Sequence, residues 1–137
     1  MKIQVTEYLV IDLEHENWEC RCCGHRLISA RENYKKGALI HARDPRQIHR
    51  PLIDATKFAY TFAPDPALCV IYEFYCPNCG TMLETEYQVP GHMPVHDIEF
   101  DIDALKAQWA KRGGVATPDM GPDIDFMPDR HLHHHRH

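Results

Sequence analysis

No stretch of this sequence is apolar for long enough to cross a membrane, and none offers a nucleotide cradle or an activated nucleophile. A Walker loop, a Gly-x-Gly-x-x-Gly turn after a strand and a Gly-x-Ser-x-Gly elbow are all missing, so the chain by itself does not read as a catalyst. The opening residues, MKIQVTEYLVIDLE, interleave acids and amides with apolar positions and form no continuous secretory core. The expectation is a soluble, cytoplasmic protein without a membrane partner. Internal repeats of fold-defining length are also absent.

What is present begins with cysteine. At 137 residues the chain should bury roughly two thirds of the surface its unfolded form exposes, so it needs no cross-link merely to fold. It nevertheless carries six cysteines, which in a reducing cytosol read as metal ligands or small buried hydrophobes before disulfide partners. Cys20-Arg-Cys-Cys23-Gly and Cys76-Pro-Asn-Cys79-Gly are two Cys-x-x-Cys-Gly knuckles. Two intervening residues let both sulfurs turn toward one point, and the glycine accepts the backbone geometry that closes the turn. Four thiolates in a tetrahedron make a closed, structural zinc site, so Cys20, Cys23, Cys76 and Cys79 are the candidate metal ligands. Iron suits the same ligand set. A redox role fits less well, because neither pair lies in a βαβ pattern.

Four sulfurs around a divalent ion carry net negative charge, which Arg21, His25 and Arg26 are placed to offset, with knuckle amides donating to sulfur. Cys22 and Cys69 are read as small buried hydrophobes; the sharper alternative is ligand exchange, with Cys22 replacing a neighbour.

The rest of the chain reads as mainly β. Residues 3–13 alternate with the period of a half-buried strand, RLI and ALIHA are short strand candidates, and SARENYKKG is a polar connection closed by Gly37. ALCVIYEFYC (67–76) is apolar on both parities and predicts a central strand, which runs through the second knuckle into the alternating TMLETEYQV to make a hairpin. Asp103 is placed to cap a short amphipathic helix, ALKAQWAKR, that stops at Gly113-Gly114. The expected fold is β-rich α+β. It has a zinc-ribbon-like core, a long structured insertion between the knuckles, one domain over residues 1–112 and a flexible His-rich tail over 113–137.

Two features suggest rival functions. Between Arg21 and Lys57 nine Lys or Arg face three acids, Glu32, Asp44 and Asp54, a balance of +6 inside a chain whose total is -5. Such a segment suits phosphate, nucleic acid or an acidic protein surface, or it is a solvated face neutralised by acidic flanks. A nucleic-acid-binding zinc ribbon is therefore the alternative function, opposed by overall acidity. The second feature is GHMPVHDIEFDID, with His92, His96, Asp97, Glu99, Asp101 and Asp103. It resembles a hydrolytic metal site, but Pro94 breaks the helical His-x-x-x-His reading and the acids fit a solvent face.

The phrases SARENYKKG, RDPRQIHRPLI, YTFAPDPALCVIYEFYCPNCGT and VPGHMPVHDIEFDIDAL resemble the small gamma subunit of the acetone and acetophenone carboxylase family, over most of residues 1–112. The resemblance implies membership in a multi-subunit ligase that couples ATP hydrolysis to carboxylation of a ketone with bicarbonate. It further implies that large hydantoinase-like subunits carry the nucleotide and substrate chemistry, while the small subunit binds structural zinc through Cys20, Cys23, Cys76 and Cys79. It implies no catalytic residue in this chain.

Overall fold

The computed structural model describes residues 1–51, 56–57 and 63–112. Among these residues seven strands form two antiparallel sheets. The first has the order β1 (Lys2–Gln4), β2 (Leu9–Asp12), β3 (Asn17–Cys20), β4 (Arg26–Ser29); the second has the order β5 (Leu39–Arg43), β6 (Val70–Tyr75), β7 (Met82–Gln88). One helix, α1 (Ile102–Lys111), follows. The mainly β expectation is met. Among the described residues no helix is long and apolar enough to cross a membrane.

The alternation of residues 3–13 is real, but it hides a reversal. Instead of one strand, β1 and β2 pair antiparallel with Ile3 opposite Ile11 and Lys2 opposite Asp12. The turn uses neither Gly nor Pro: Val5 N donates to Leu9 O (2.9 Å) and Tyr8 N to Thr6 Oγ1 (3.4 Å). A hydroxyl replaces the usual turn residue, which is why the turn left no strong signal. Leu9 and Ile11 then lie fully buried with Trp18, Cys20, Leu27, Tyr34, Cys76, Leu83, Ile102 and Trp109 in one apolar cluster.

The stretch SARENYKKG is more than a polar connection. Asn33 caps a 3-10 turn, Tyr34–Gly37, by accepting from Lys35 N (3.2 Å), and this turn buries Tyr34 against Trp18 with ring centroids 5.3 Å apart. Gly37 allows the close approach: a Cβ there would stand 2.2 Å from Leu27 O. Lys35 is buried as well. Its Nζ reaches Glu86 Oε1 on β7 (2.7 Å), Val95 O (2.9 Å) and Asp97 Oδ1 (3.3 Å), and lies 5.2 Å from the centroid of the Phe74 ring. The charge is satisfied on three sides, as a buried cation requires.

In the second sheet β6 is central, as its double-sided apolar pattern predicts, but it starts at Val70 because residues 65–69 form a turn in which Leu68 N and Cys69 N donate to Asp65 O. Its one acid, Glu73, is buried and accepts from Arg43 Nε and the Tyr75 hydroxyl, both at 2.7 Å.

Helix α1 is capped by Asp101 and not by Asp103. Asp101 has extended backbone angles and accepts from Ala104 N (3.0 Å), the geometry of a residue just outside the first turn. Asp103 lies within that turn and pairs with Arg31 (2.8 Å). Ile102 and Trp109 bury one face of the helix, with Leu105 packed beside them. The expected stop at Gly113-Gly114 and the tail over 113–137 lie outside the described residues.

Glu16 ties this helix to the first sheet. It sits at φ 55° in the β2–β3 turn and accepts from Arg31 Nε (2.7 Å) and from Lys106 on α1. Those two cations hold its carboxyl at about 2, against an ordinary value of 4.5. Because the folded value is the lower one, the contribution to stability is complete above about pH 4.5 and is lost as pH falls toward 2. Glu16→Gln should therefore flatten the acid-induced loss of stability between those limits, followed by the fluorescence of Trp18 and Trp109. An unchanged acid slope would show that the link is idle.

Candidate metal centre

Each knuckle is the turn of a hairpin, and the two hairpins are built alike. In the first, between β3 and β4, Cys20 N donates to His25 O (2.9 Å) and Gly24 N to Cys20 O (2.8 Å). In the second, between β6 and β7, Cys76 N donates to Thr81 O (2.8 Å) and Gly80 N to Cys76 O (2.9 Å). Gly24 and Gly80 share the same left-handed φ of 76°, a region closed to most side chains. Each hairpin also carries a register shift just ahead of its first cysteine, at Trp18/Glu19 and at Phe74/Tyr75. Such bulges re-aim the strand end.

The two turns meet. Sγ of Cys20 lies 3.7 Å from that of Cys79, and Sγ of Cys23 lies 3.7 Å from that of Cys76. All four sulfurs fall within 4.8 Å of one another. A metal–sulfur distance of about 2.3 Å gives a tetrahedral edge of about 3.8 Å, whereas a disulfide needs about 2.05 Å. The spacing is that of four ligands of one ion, and the four cysteines can hold a metal. Among the described residues no other group of His, Cys, Asp or Glu has this arrangement.

The thiols are not equivalent. Cys20 and Cys76 are buried at the strand ends, while Cys23 and Cys79 are exposed. Burial pushes the Cys20 and Cys76 thiols up, partly opposed by the amides of Cys22 and Cys23 toward the first and of Cys79 and Asn78 toward the second. Cys79 is pulled down to about 6 by the Thr81 hydroxyl (3.1 Å) and the Thr81 amide. The Asn78 side chain and the His25 amide lower Cys23. Asn78 and Thr81 are contributors that sequence reading passed over; the only signal was their place within and just after the second knuckle. A bound cation favours the thiolate at every one of these sulfurs and so offsets the burial of the inner pair.

Other expectations are corrected. Cys22 is exposed, not buried, because the middle of a tight knuckle projects outward, and it is outside the four-sulfur group. Cys69 is half-buried ahead of β6, with Val70 O at 4.0 Å. Arg26 donates to Asn17 Oδ1 (2.6 Å) and Arg21 to Glu7 O (3.0 Å), so both guanidinium groups brace the first sheet.

At least four of the nine cations of the cationic segment are paired by acids of the same chain. Arg31 pairs with Glu16 and Asp103, Lys35 with Glu86 and Asp97, Arg43 with Glu73, and Arg46 with Asp44. These pairings with acids from either side of the segment agree with neutralisation by the acidic flanks. The acids after Gly91 are likewise engaged: Asp97 faces Lys35, Asp101 caps α1 and Asp103 meets Arg31, while His96 has Glu99 at 3.8 Å.

Residues 1–110 match the family model described as acetone carboxylase gamma subunit. The chain belongs to the acetone carboxylase gamma subunit family. It is 51% identical over 118 residues to the acetophenone carboxylase beta subunit of Aromatoleum aromaticum, covering 86% of this chain and 88% of that protein. It is 31% identical over 113 residues to the acetone carboxylase gamma subunit of Xanthobacter autotrophicus, covering 82% of this chain and 62% of that protein. Both relatives are named as subunits of carboxylases. For this member of the acetone carboxylase gamma subunit family, the matched region takes in both sheets and both knuckles, and nearly all of α1.

Proposed function

We propose that this chain is a zinc-stapled, non-catalytic subunit of an ATP-dependent ketone carboxylase, and that it supports assembly of the large subunits. Cys20, Cys23, Cys76 and Cys79 hold the zinc, which clamps the hairpin β3–β4 to the hairpin β6–β7 and makes residues 1–112 one folded unit. The closed four-sulfur arrangement supports this reading: it leaves no open position for substrate, so its work is mechanical. ATP, bicarbonate and ketone are handled by large, hydantoinase-like partner subunits in the cytoplasm. The higher identity to an acetophenone carboxylase subunit favours an aromatic ketone.

Mass spectrometry of the native complex tests both parts at once. The expected outcome is this chain bound to large subunits, with one zinc per copy. A solitary, stable monomer from the native source, or a chain without metal, would overturn the reading.

A further inference from the structure

The outer edge of the second sheet is unusual. Among the described residues β5 pairs with β6 alone, and four of its five residues are exposed, among them Leu39 (58%) and Ile40 (52%). An exposed apolar edge presents unpaired backbone donors and acceptors and is normally shortened, charged or covered. Beside it lies a groove of about 440 Å³, whose lining includes Ile40, Tyr72, Phe74 and Met93. Met93 is 81% exposed. Ile40 thus belongs both to the edge and to the groove.

We infer that β5 is the docking edge for an extended strand of a large carboxylase subunit: the strand continues the sheet by backbone hydrogen bonds and sets alternate apolar side chains into the groove beside Ile40. This is strand addition, in which the edge provides affinity and the pockets select side chains. The inference rests on the assembly role proposed above. The polarity of the site indicates what the strand carries. Two lysines, Lys35 and Lys36, and His92 line the groove, and among the described residues no acid does. Lys35 is already matched by Glu86 and Asp97. Lys36 is exposed, and among the described residues its carboxylate partner is Glu32, four positions earlier at 3.4 Å, a pair of little strength. An acidic residue at that end of the incoming strand completes the contact.

A second copy of this chain is the poorer occupant. Antiparallel pairing about His41 would place His41 against His41, and β5 itself, LIHAR, carries no acid to meet Lys36.

The test is co-expression with the large subunits of the same complex, followed by affinity measurement and hydrogen exchange. Ile40→Glu and Lys36→Glu alter exposed side chains, so melting temperature and zinc content should stay at the wild-type level. Ile40→Glu should weaken binding to the large subunits by about ten-fold or more, the scale of an anchor at an interface centre. Lys36→Glu should weaken it less and reduce its sensitivity to salt, while Thr85→Glu on β7 leaves it unchanged. Amides 39–43 should exchange more slowly in the complex than in the free chain. Wild-type binding with no effect of Ile40→Glu, or no added protection at 39–43, would overturn the docking edge while leaving the assembly role intact. A self-associating chain whose dimer is broken by Ile40→Glu would also overturn it. No binding by the wild type would remove both.

Discussion

Cys76→Ser should abolish binding of the proposed zinc and lower the melting temperature by about 15 °C or more. Structural zinc in small domains is worth roughly 10–16 kcal/mol of apparent binding, which is comparable to the entire stability of a domain, roughly 5–15 kcal/mol. Even a loss of about 5 kcal/mol corresponds to a shift of this size at roughly 3 °C per kcal/mol for a chain of this length. The effect is large because Cys76 is buried and stands at the join: its sulfur faces Cys23 at 3.7 Å from the other hairpin. Removing it frees the second sheet from the first at that end. Cys22→Ser, an exposed change outside the sulfur group, should retain metal and melt like the wild type. Metal analysis and calorimetry on both variants distinguish a staple from an incidental cluster; equal metal content in Cys76→Ser would sink the assignment.

Lys35→Ala should cost about 3 kcal/mol, the scale of a buried ion pair broken from one side. Lys35 comes from the turn after β4, yet its ammonium lies between Glu86 on β7 and the 95–97 segment, so it bridges the two sheets away from the four cysteines. Its side chain is 2% exposed and that of Glu86 is 12% exposed. Truncation leaves the Glu86 carboxylate with Val95 N and the Gln88 amide as donors, but without its cation. The double variant Lys35→Met, Glu86→Leu should recover much of the loss, because apolar residues of similar volume substitute well for a buried pair. Denaturant unfolding of the three proteins decides it; a Lys35→Ala midpoint within error of the wild type would refute the bridging role.

The knuckles were legible because their chemistry is local. A Cys-x-x-Cys-Gly turn needs only its own five residues to aim two sulfurs, and Gly24 and Gly80 adopt the same positive φ that the motif demands. The central strand β6 and its hairpin with β7 were legible for a similar reason, since period-two patterns report burial directly. Less legible were features in which a polar residue does the work of a more familiar signal. The β1–β2 turn relies on Thr6, and the cap of α1 falls to Asp101 although Asp103 lies two residues away. Two acids so close together are equivalent in sequence, and only the path of the chain decides which stands outside the first turn.

Hidden altogether was the role of Lys35. Within YKKG, Lys35 and Lys36 are the same residue side by side, but one is buried in an ion pair and the other is largely exposed. Their fates depend on β7 and on Val95, about 50 to 60 residues further on. The sequence by itself determined the two knuckles, the β-rich class and the absence of catalytic motifs, because each follows from residue type and short spacing. The tertiary structure alone decided which charges are neutralised and which lysine is buried, because those depend on what each residue meets across the chain.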